Sequence, residues 1–250
     1  MLASRGAATR RQRIILGAVS LALHLIQLYS GRALTVVGAT GSIGTLTFDR
    51  GGTNLLATGN DGTVRVYSTA LSGDPIETLA GHNAPVTSAS FGAGDAYIAS
   101  SSNDGTARLW QGIVPTPAMS RGRGEGSAST LAFSSTGNQI LVTGGAPGAG
   151  TGRILSARTL APLVRFSAPA GQVFLGARWE HEGTRVVALS GLTGPRGVTA
   201  TEAESFASDT GTMVAAMHPS VGTAFFGFSV SRDGTRGVGI EADGTVSLWR

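Results

Sequence analysis

No cysteine occurs in the 250 residues of this chain, which excludes disulfide bridges and thiolate metal sites and leaves the redox compartment open. Lysine is absent too. All 19 basic residues are arginine, a usage that points to coding bias more than to a set of phosphate clamps. No acidic residue precedes Asp49, while five of the arginines fall within the first 32 positions. The other 14 arginines face 15 acids, so the net charge of +4 sits at the N-terminus and the rest of the chain has no basic footprint for nucleic acid. Aromatic residues are scarce at 6% and glycines number 38, which fits many short strands and tight turns better than helices.

A long apolar run is also missing. Ile14 to Tyr29 is mostly apolar but is broken by His24 and Gln27, and it falls short of the about 20 residues that a membrane span wants. Behind Arg5, Arg10, Arg11 and Arg13 it has the form of a signal peptide, a signal anchor or an arginine-rich transit peptide. Residues 1–31 are therefore expected as a hydrophobic targeting or anchoring helix, with an amphipathic helix lying on the domain as the bland alternative. The matching localisation is membrane-associated, exported or organelle-targeted; the alternative is cytoplasmic. A chain of 250 residues at 41% apolar can bury a sizeable core, and residues 32–250 are expected as one repeat domain.

The repeat is explicit. Phe48, Asp61, Gly62, Thr63 and Tyr67 recur 43 residues later as Phe91, Asp104, Gly105, Thr106 and Trp110. A period of about 40–45 residues with these turn chemistries marks a four-stranded propeller blade. In the clearest unit, Val86 to Phe91 starts a strand a, and Gly92 to Asp95 supplies a turn. Tyr97 to Ser102 follows as strand b, then the hairpin signal Asn103-Asp104-Gly105, then strand c to Trp110. Ile76 to Ala80 forms strand d of the preceding blade.

This pattern resembles the Trp-Asp-repeat (WD-repeat) β-propeller family. The resemblance implies a buried network of His82, Ser100, Asp104 and Trp110, although Gln111 stands where the family's closing Asp would follow Trp110. Such a network is physically reasonable, because a buried polar group that loses its partner costs about 1–3 kcal/mol. The first blade keeps Asp61 but has Ala39-Thr40 at the Gly-His position. The third aligns Phe133 with Phe91 and lacks both Asp and Trp. A fourth runs from Val173 to Thr201, and the fifth closes on Asp243, Gly244, Thr245 and Trp249. An all-β propeller of about five four-stranded blades follows, preceded by the N-terminal helix; a strained ring, an open arc and completion by a second chain all stay open. Leu34 to Val37 is expected to close the ring as an outer strand beside Val246 to Trp249.

No catalytic residue, metal ligand or cofactor is expected. The four histidines are widely spaced, no serine occupies a G-x-S-x-G elbow, and Glu180-His181-Glu182 falls on an a–b turn. The glycines Gly38, Gly41 and Gly44 imitate a dinucleotide loop, but the β-branched continuation Thr45 to Phe48 argues against the helix that such a loop needs. Asp61, Asp104 and Asp243 each precede Gly-Thr, where a carboxylate stabilises a turn. The expected function is a non-enzymatic protein-interaction scaffold with protein partners, no nucleic acid and no small-molecule substrate. A sensor or regulatory propeller from a membrane-linked signalling protein is the alternative, and a propeller enzyme the third class. Glycine-rich inserts at 121–126, 144–152 and 191–197 fall on the face of the d–a and b–c connections, which makes Arg121, Arg123, Arg153 and Arg196 the candidate partner-binding residues.

Overall fold

The computed structural model describes residues 23–26, 33–36, 41–69, 74–92, 95–111, 117–121, 126–180, 183–194, 197–219, 224–231 and 236–249. Every regular element among them is a β-strand, and all pairings are antiparallel. Short runs rich in Val, Ile, Leu and Thr, punctuated by glycine turns, have no helical period to follow. A separate hairpin comes first, β1 (Leu23–Ile26) against β2 (Ala33–Val36).

Four blades follow. The first is β3 (Ile43–Phe48), β4 (Asn54–Gly59), β5 (Thr63–Ser68) and β6 (Glu77–Ala80). The second is β7 (Val86–Phe91), β8 (Tyr97–Ser102), β9 (Ala107–Gln111) and β10 (Pro117–Arg121). The third is β11 (Ser127–Phe133), β12 (Gln139–Ala146), β13 (Ala149–Ser156) and β14 (Pro162–Ser167). The fourth is β15 (Gln172–Glu180), β16 (Arg185–Gly194), β17 (Gly197–Ala207) and β18 (Met213–Met217). A three-stranded fifth unit, β19 (Phe225–Val230), β20 (Gly237–Glu241) and β21 (Val246–Trp249), continues the same sheet through one pairing, Ala200 with Phe225.

The Asp-Gly turns work as their chemistry dictates. Gly62, Gly105 and Gly244 adopt φ of 80°, 78° and 88°, a region that favours glycine. Asp61, Asp104 and Asp243 each accept the N–H two residues on, from Thr63 at 3.2 Å, Thr106 at 2.9 Å and Thr245 at 2.8 Å. Gly62 has a second constraint, since a Cβ there would sit 2.8 Å from the His82 carbonyl oxygen.

The core lies between blades. Leu56, Val64, Val66 and Leu79 of the first pack on Val86, Ala89, Ile98 and Trp110 of the second. Ala99, Ala107 and Leu109 pack on Ala128, Leu131, Ile140 and Val142 of the third. Leu141, Ile154 and Phe166 pack on Phe174, Val186, Ala188 and Phe206 of the fourth, where Phe166 and Phe206 stack with centroids 4.6 Å apart. Hydroxyls tie successive strands a: Thr47 Oγ1 donates to Ala89 O at 3.1 Å, Thr87 Oγ1 to Ala128 O at 2.6 Å, and Ser129 Oγ to Phe174 O at 3.3 Å.

Three expectations need correction. The described part of the N-terminal apolar segment is a strand, not a helix, and no α-helix occurs among the described residues. Leu23–Ile26 finds a ladder partner ten residues away in Ala33–Val36, and a short hairpin satisfies its backbone at little loop-closure cost. The same pairing occupies the strand expected to close the ring. Ala33 to Val36 pairs with β1, and β21 pairs with β20 alone among the described residues. The inserts at 144–152 and 191–197, expected as b–c connections, are largely strand. Most of 144–152 is ladder, with Ala146 opposite Ala149, and the second insert is a hairpin whose Gly194 lies opposite Gly197. Strand β3 begins at Ile43, inside the Gly38 to Gly44 run, so the helix that a dinucleotide loop requires is not there.

Candidate functional site

Blade two carries a continuous relay of side chains. Trp110 Nε1–H donates to Ser100 Oγ at 2.9 Å, and Ser100 Oγ is 2.8 Å from His82 Nε2. His82 Nδ1 in turn is 3.0 Å from Asp104 Oδ2. Only one proton arrangement satisfies all three bonds with a neutral imidazole: the Ser100 hydroxyl donates to Nε2 and the Nδ1 hydrogen goes to Asp104. Burial pulls the His82 pKa below its ordinary value, an effect only partly offset by the Asp104 carboxylate, so the neutral form is the favoured one. Burial also pushes the Asp104 carboxyl up, but donors from Thr106, Asn83 and His82 outweigh it and hold the group well below the usual carboxylate range.

The order Ser, His, Asp is that of a hydrolytic triad. Two features set it apart. Ser100 is completely buried, and its oxygen is occupied by the Trp110 indole N–H. The relay joins strands b and c to the entry loop and to the b–c turn of one blade, which is the work of a brace.

The other blades keep parts of it. In the first, where no histidine is available, Arg65 takes the carboxylate of Asp61 through two contacts of 2.7 and 3.2 Å, and Tyr67 fills the Trp position in the core. In the fifth, Asp243 holds only its turn, while Trp249 is half-buried against Phe225 and Phe228, with centroids 5.4 and 6.0 Å away.

Blade four holds the arrangement that sequence reasoning missed. Gln172 and Ser190 are 18 residues apart, as are His82 and Ser100, and Ser190 Oγ donates to Gln172 Oε1 at 2.6 Å. Ala188 pairs with Glu204 where Ile98 pairs with Trp110, so Glu204 stands in the Trp position. Glu204 is fully buried. Its Oε1 lies 2.5 Å from Ser190 Oγ, and its Oε2 has no hydrogen-bond partner. Burial pushes this carboxyl up to about 7; the Ser190 bond opposes the shift, and the charge of Glu202 adds to it. Glu202 accepts from Gln172 Nε2 at 3.0 Å and lies 3.9 Å from His218 Nδ1. The shared 18-residue spacing is the signal that points to this set, and the longer b–c hairpin hides its third member.

Of the candidate partner-binding arginines, Arg153 lies in strand c opposite Val142 and Arg165, half-buried and partnered. Arg121 ends strand d opposite Ala107. Arg123 and Arg196 lie outside the described residues. Glu180 accepts from Arg178 at 2.6 Å, and no group of three or more potential metal-ligating His, Asp or Glu residues exists among the described residues.

Repeated four-stranded sheets packed face to face, each entered through an a strand and left through a d strand, define a propeller-type blade array. The family model described as "WD domain, G-beta repeat" matches residues 31–68 and 73–111, stretches that hold strands a to c of the first two blades. No curated protein matches the chain. A chain in a crystal structure of the mitotic checkpoint complex superposes with a TM-score of 0.72 at 18% identity, over 92% of this chain and 68% of that one. At that identity the likeness is one of fold. Matches to solved chains number 1576, so the architecture is widespread and names no activity by itself.

Proposed function

We propose that the chain is a non-enzymatic protein-interaction scaffold whose partner contacts the rim formed by the d–a and b–c connections. WD-repeat propellers generally mediate protein–protein interaction. One observation carries the reading: the group of side chains best placed to do chemistry, Ser100 with His82 and Asp104, is sealed in the core and saturated by its own members. A fluorophosphonate probe, which labels activated serines, is expected to leave the folded protein unlabelled. Labelling at Ser100 would restore the enzyme reading. For the binding face, replacing Arg121, Arg123 and Arg196 together by serine should weaken partner capture and shift stability by no more than about 0.5 kcal/mol. Equal capture by that variant, with capture lost on changing Glu180 and Glu182, moves the site to the opposite face.

One observation favours a second reading, a sensor or regulatory propeller. A fully buried carboxyl that titrates near neutral pH, Glu204, couples blade four to the proton concentration. Residues 1–31 fit a targeting or anchoring segment in either case, which fractionation of cells expressing the chain with and without them tests. Among the described residues, no helix is long and apolar enough to cross a membrane.

A further inference from the structure

Three hydrogen bonds in blade four fix where one proton sits. The Glu202 carboxylate can only accept, so the Gln172 amide turns its nitrogen to it, at 3.0 Å, and its oxygen to Ser190 Oγ, at 2.6 Å. An amide oxygen also only accepts, so the single hydrogen of Ser190 goes to Gln172. Glu204 Oε1, 2.5 Å from the same Ser190 Oγ, must then donate, which it can do only as the protonated acid. The relay therefore runs one way, from Glu204 through Ser190 and Gln172 to Glu202. Burial, which pushes the Glu204 carboxyl up to about 7, agrees with this placing of the hydrogens.

The site is interior, at the boundary between blades three and four. Side chains alternate along strand c, so Glu204 shares its face with Glu202 and with Phe206, which packs on Phe166 and Phe174. Blade three brings Leu141, Ile154, Val164 and Phe166 to this boundary, while Arg153 and Arg165, opposed to each other, alternate to the far face. Within blade four, strand a brings the neutral Gln172 and strand b brings Ser190, and Arg178, Glu180 and Arg185 stand at the opposite end of those strands. His218, just past strand d, lies behind Glu202 at 3.9 Å. Glu202 is thus the charge set beside Glu204 among the described residues.

Gln172 also belongs to the d–a connection. Its N–H donates to Pro169 O at 3.0 Å, and Ala168 N–H donates to Gly150 O at 3.0 Å, on the long hairpin of blade three. We propose that the four side chains form a proton-operated latch: with Glu204 protonated they tie the connection at 168–172 to strand c, and loss of that proton to water releases Gln172 from Glu202. Without the proton, Glu204 can only accept, so Ser190 turns its hydrogen to it. Gln172 then keeps a bond to Ser190 only by offering its nitrogen there, which sets its oxygen against the Glu202 carboxylate. Two acceptors repel, and Glu202 swings from Gln172 toward His218. The latch rests on the reading of the chain as a sensor, and it gives that sensor a moving part on the d–a and b–c rim.

Nuclear magnetic resonance on the 250-residue protein tests this by following two signals from pH 5 to pH 8, the Glu204 carboxyl carbon and the Gln172 side-chain NH2 pair. The expected result is a shared midpoint at about 7, with the Gln172 pair fixed in E204Q, whose amide donates to Ser190 at every pH. S190A, which cuts the relay in its middle, should also leave the Gln172 pair unmoved, and it decides the matter where E204Q fails to fold. A Glu204 signal that titrates beside an unmoving Gln172 pair would overturn the latch and leave the buried acid standing. A Glu204 signal with no transition in this range would remove the latch and the sensor reading together. Movement of the Gln172 pair that persists in folded E204Q or S190A, or that has a midpoint different from that of Glu204, would overturn the latch alone.

Discussion

Replacing Glu204 by glutamine should abolish a pH dependence of stability that the parent protein shows. The folded carboxyl titrates at about 7 against 4.5 for the unconstrained group, so between those values the folded state holds a proton that the unfolded state has released. Stability from this group is therefore complete below pH 4.5 and is lost as pH rises through 7. At 1.36 kcal/mol per unit, the loss is about 3 kcal/mol as an upper figure, or about 6–12 °C in melting temperature for a domain of this size. Glutamine resembles the protonated acid. Its side-chain amide keeps the contact with Ser190 Oγ and leaves no charge at the unpartnered Oε2 position. Glu204→Gln should thus melt close to the parent at pH 5 and clearly above it at pH 8, measured by circular dichroism in matched buffers. His82 works in the opposite sense, since its folded pKa is lowered and its contribution is lost as pH falls below 6.5, so the difference between variant and parent is the quantity to read. A constant difference from pH 5 to pH 8 would refute the assignment of a buried, protonated Glu204.

Trp110→Ala should cost roughly 3–5 kcal/mol as a large core truncation, and His82→Ala about 1–3 kcal/mol by orphaning Ser100 and Asp104; parent-like denaturant midpoints for both would contradict the brace. Gly62→Ala should be destabilising by more than 1 kcal/mol, because φ of 80° and the His82 carbonyl at 2.8 Å both oppose a Cβ. An alanine variant as stable as the parent would mean that the loop at His82 yields.

Blades one and two were open to sequence reasoning because their turns are chemical: an Asp that caps its own turn and a glycine with positive φ recur at a fixed spacing. The segment 144–152 misleads for the opposite reason. Its glycines supply no alternation, yet they stand in ladder, where Gly152 leaves room for the Phe166 ring and Gly144 for the Ser127 backbone. Close approach, not looseness, accounts for them. Glu204 escaped because charge ordinarily marks the surface, and only the pairing of Ala188 with Glu204 shows that it occupies a Trp position. Ring closure by Leu34 to Val37 was drawn from end-to-end complementarity, which takes no account of a nearer competitor, and β1 is ten residues away.

The hydroxyl ties between strands a have a kinetic consequence. Thr47 reaches Ala89, Thr87 reaches Ala128 and Ser129 reaches Phe174, separations of 42, 41 and 45 residues, each close to one repeat. Apolar clusters join neighbouring blades in the same way, so the order of assembly need not wait for distant ends to meet. Loop-closure entropy is then met in steps of one blade length, and the folding rate should follow the slowest blade and its nearest interface rather than the length of the chain. A nascent chain could bank each blade against its predecessor while the remainder is still being made.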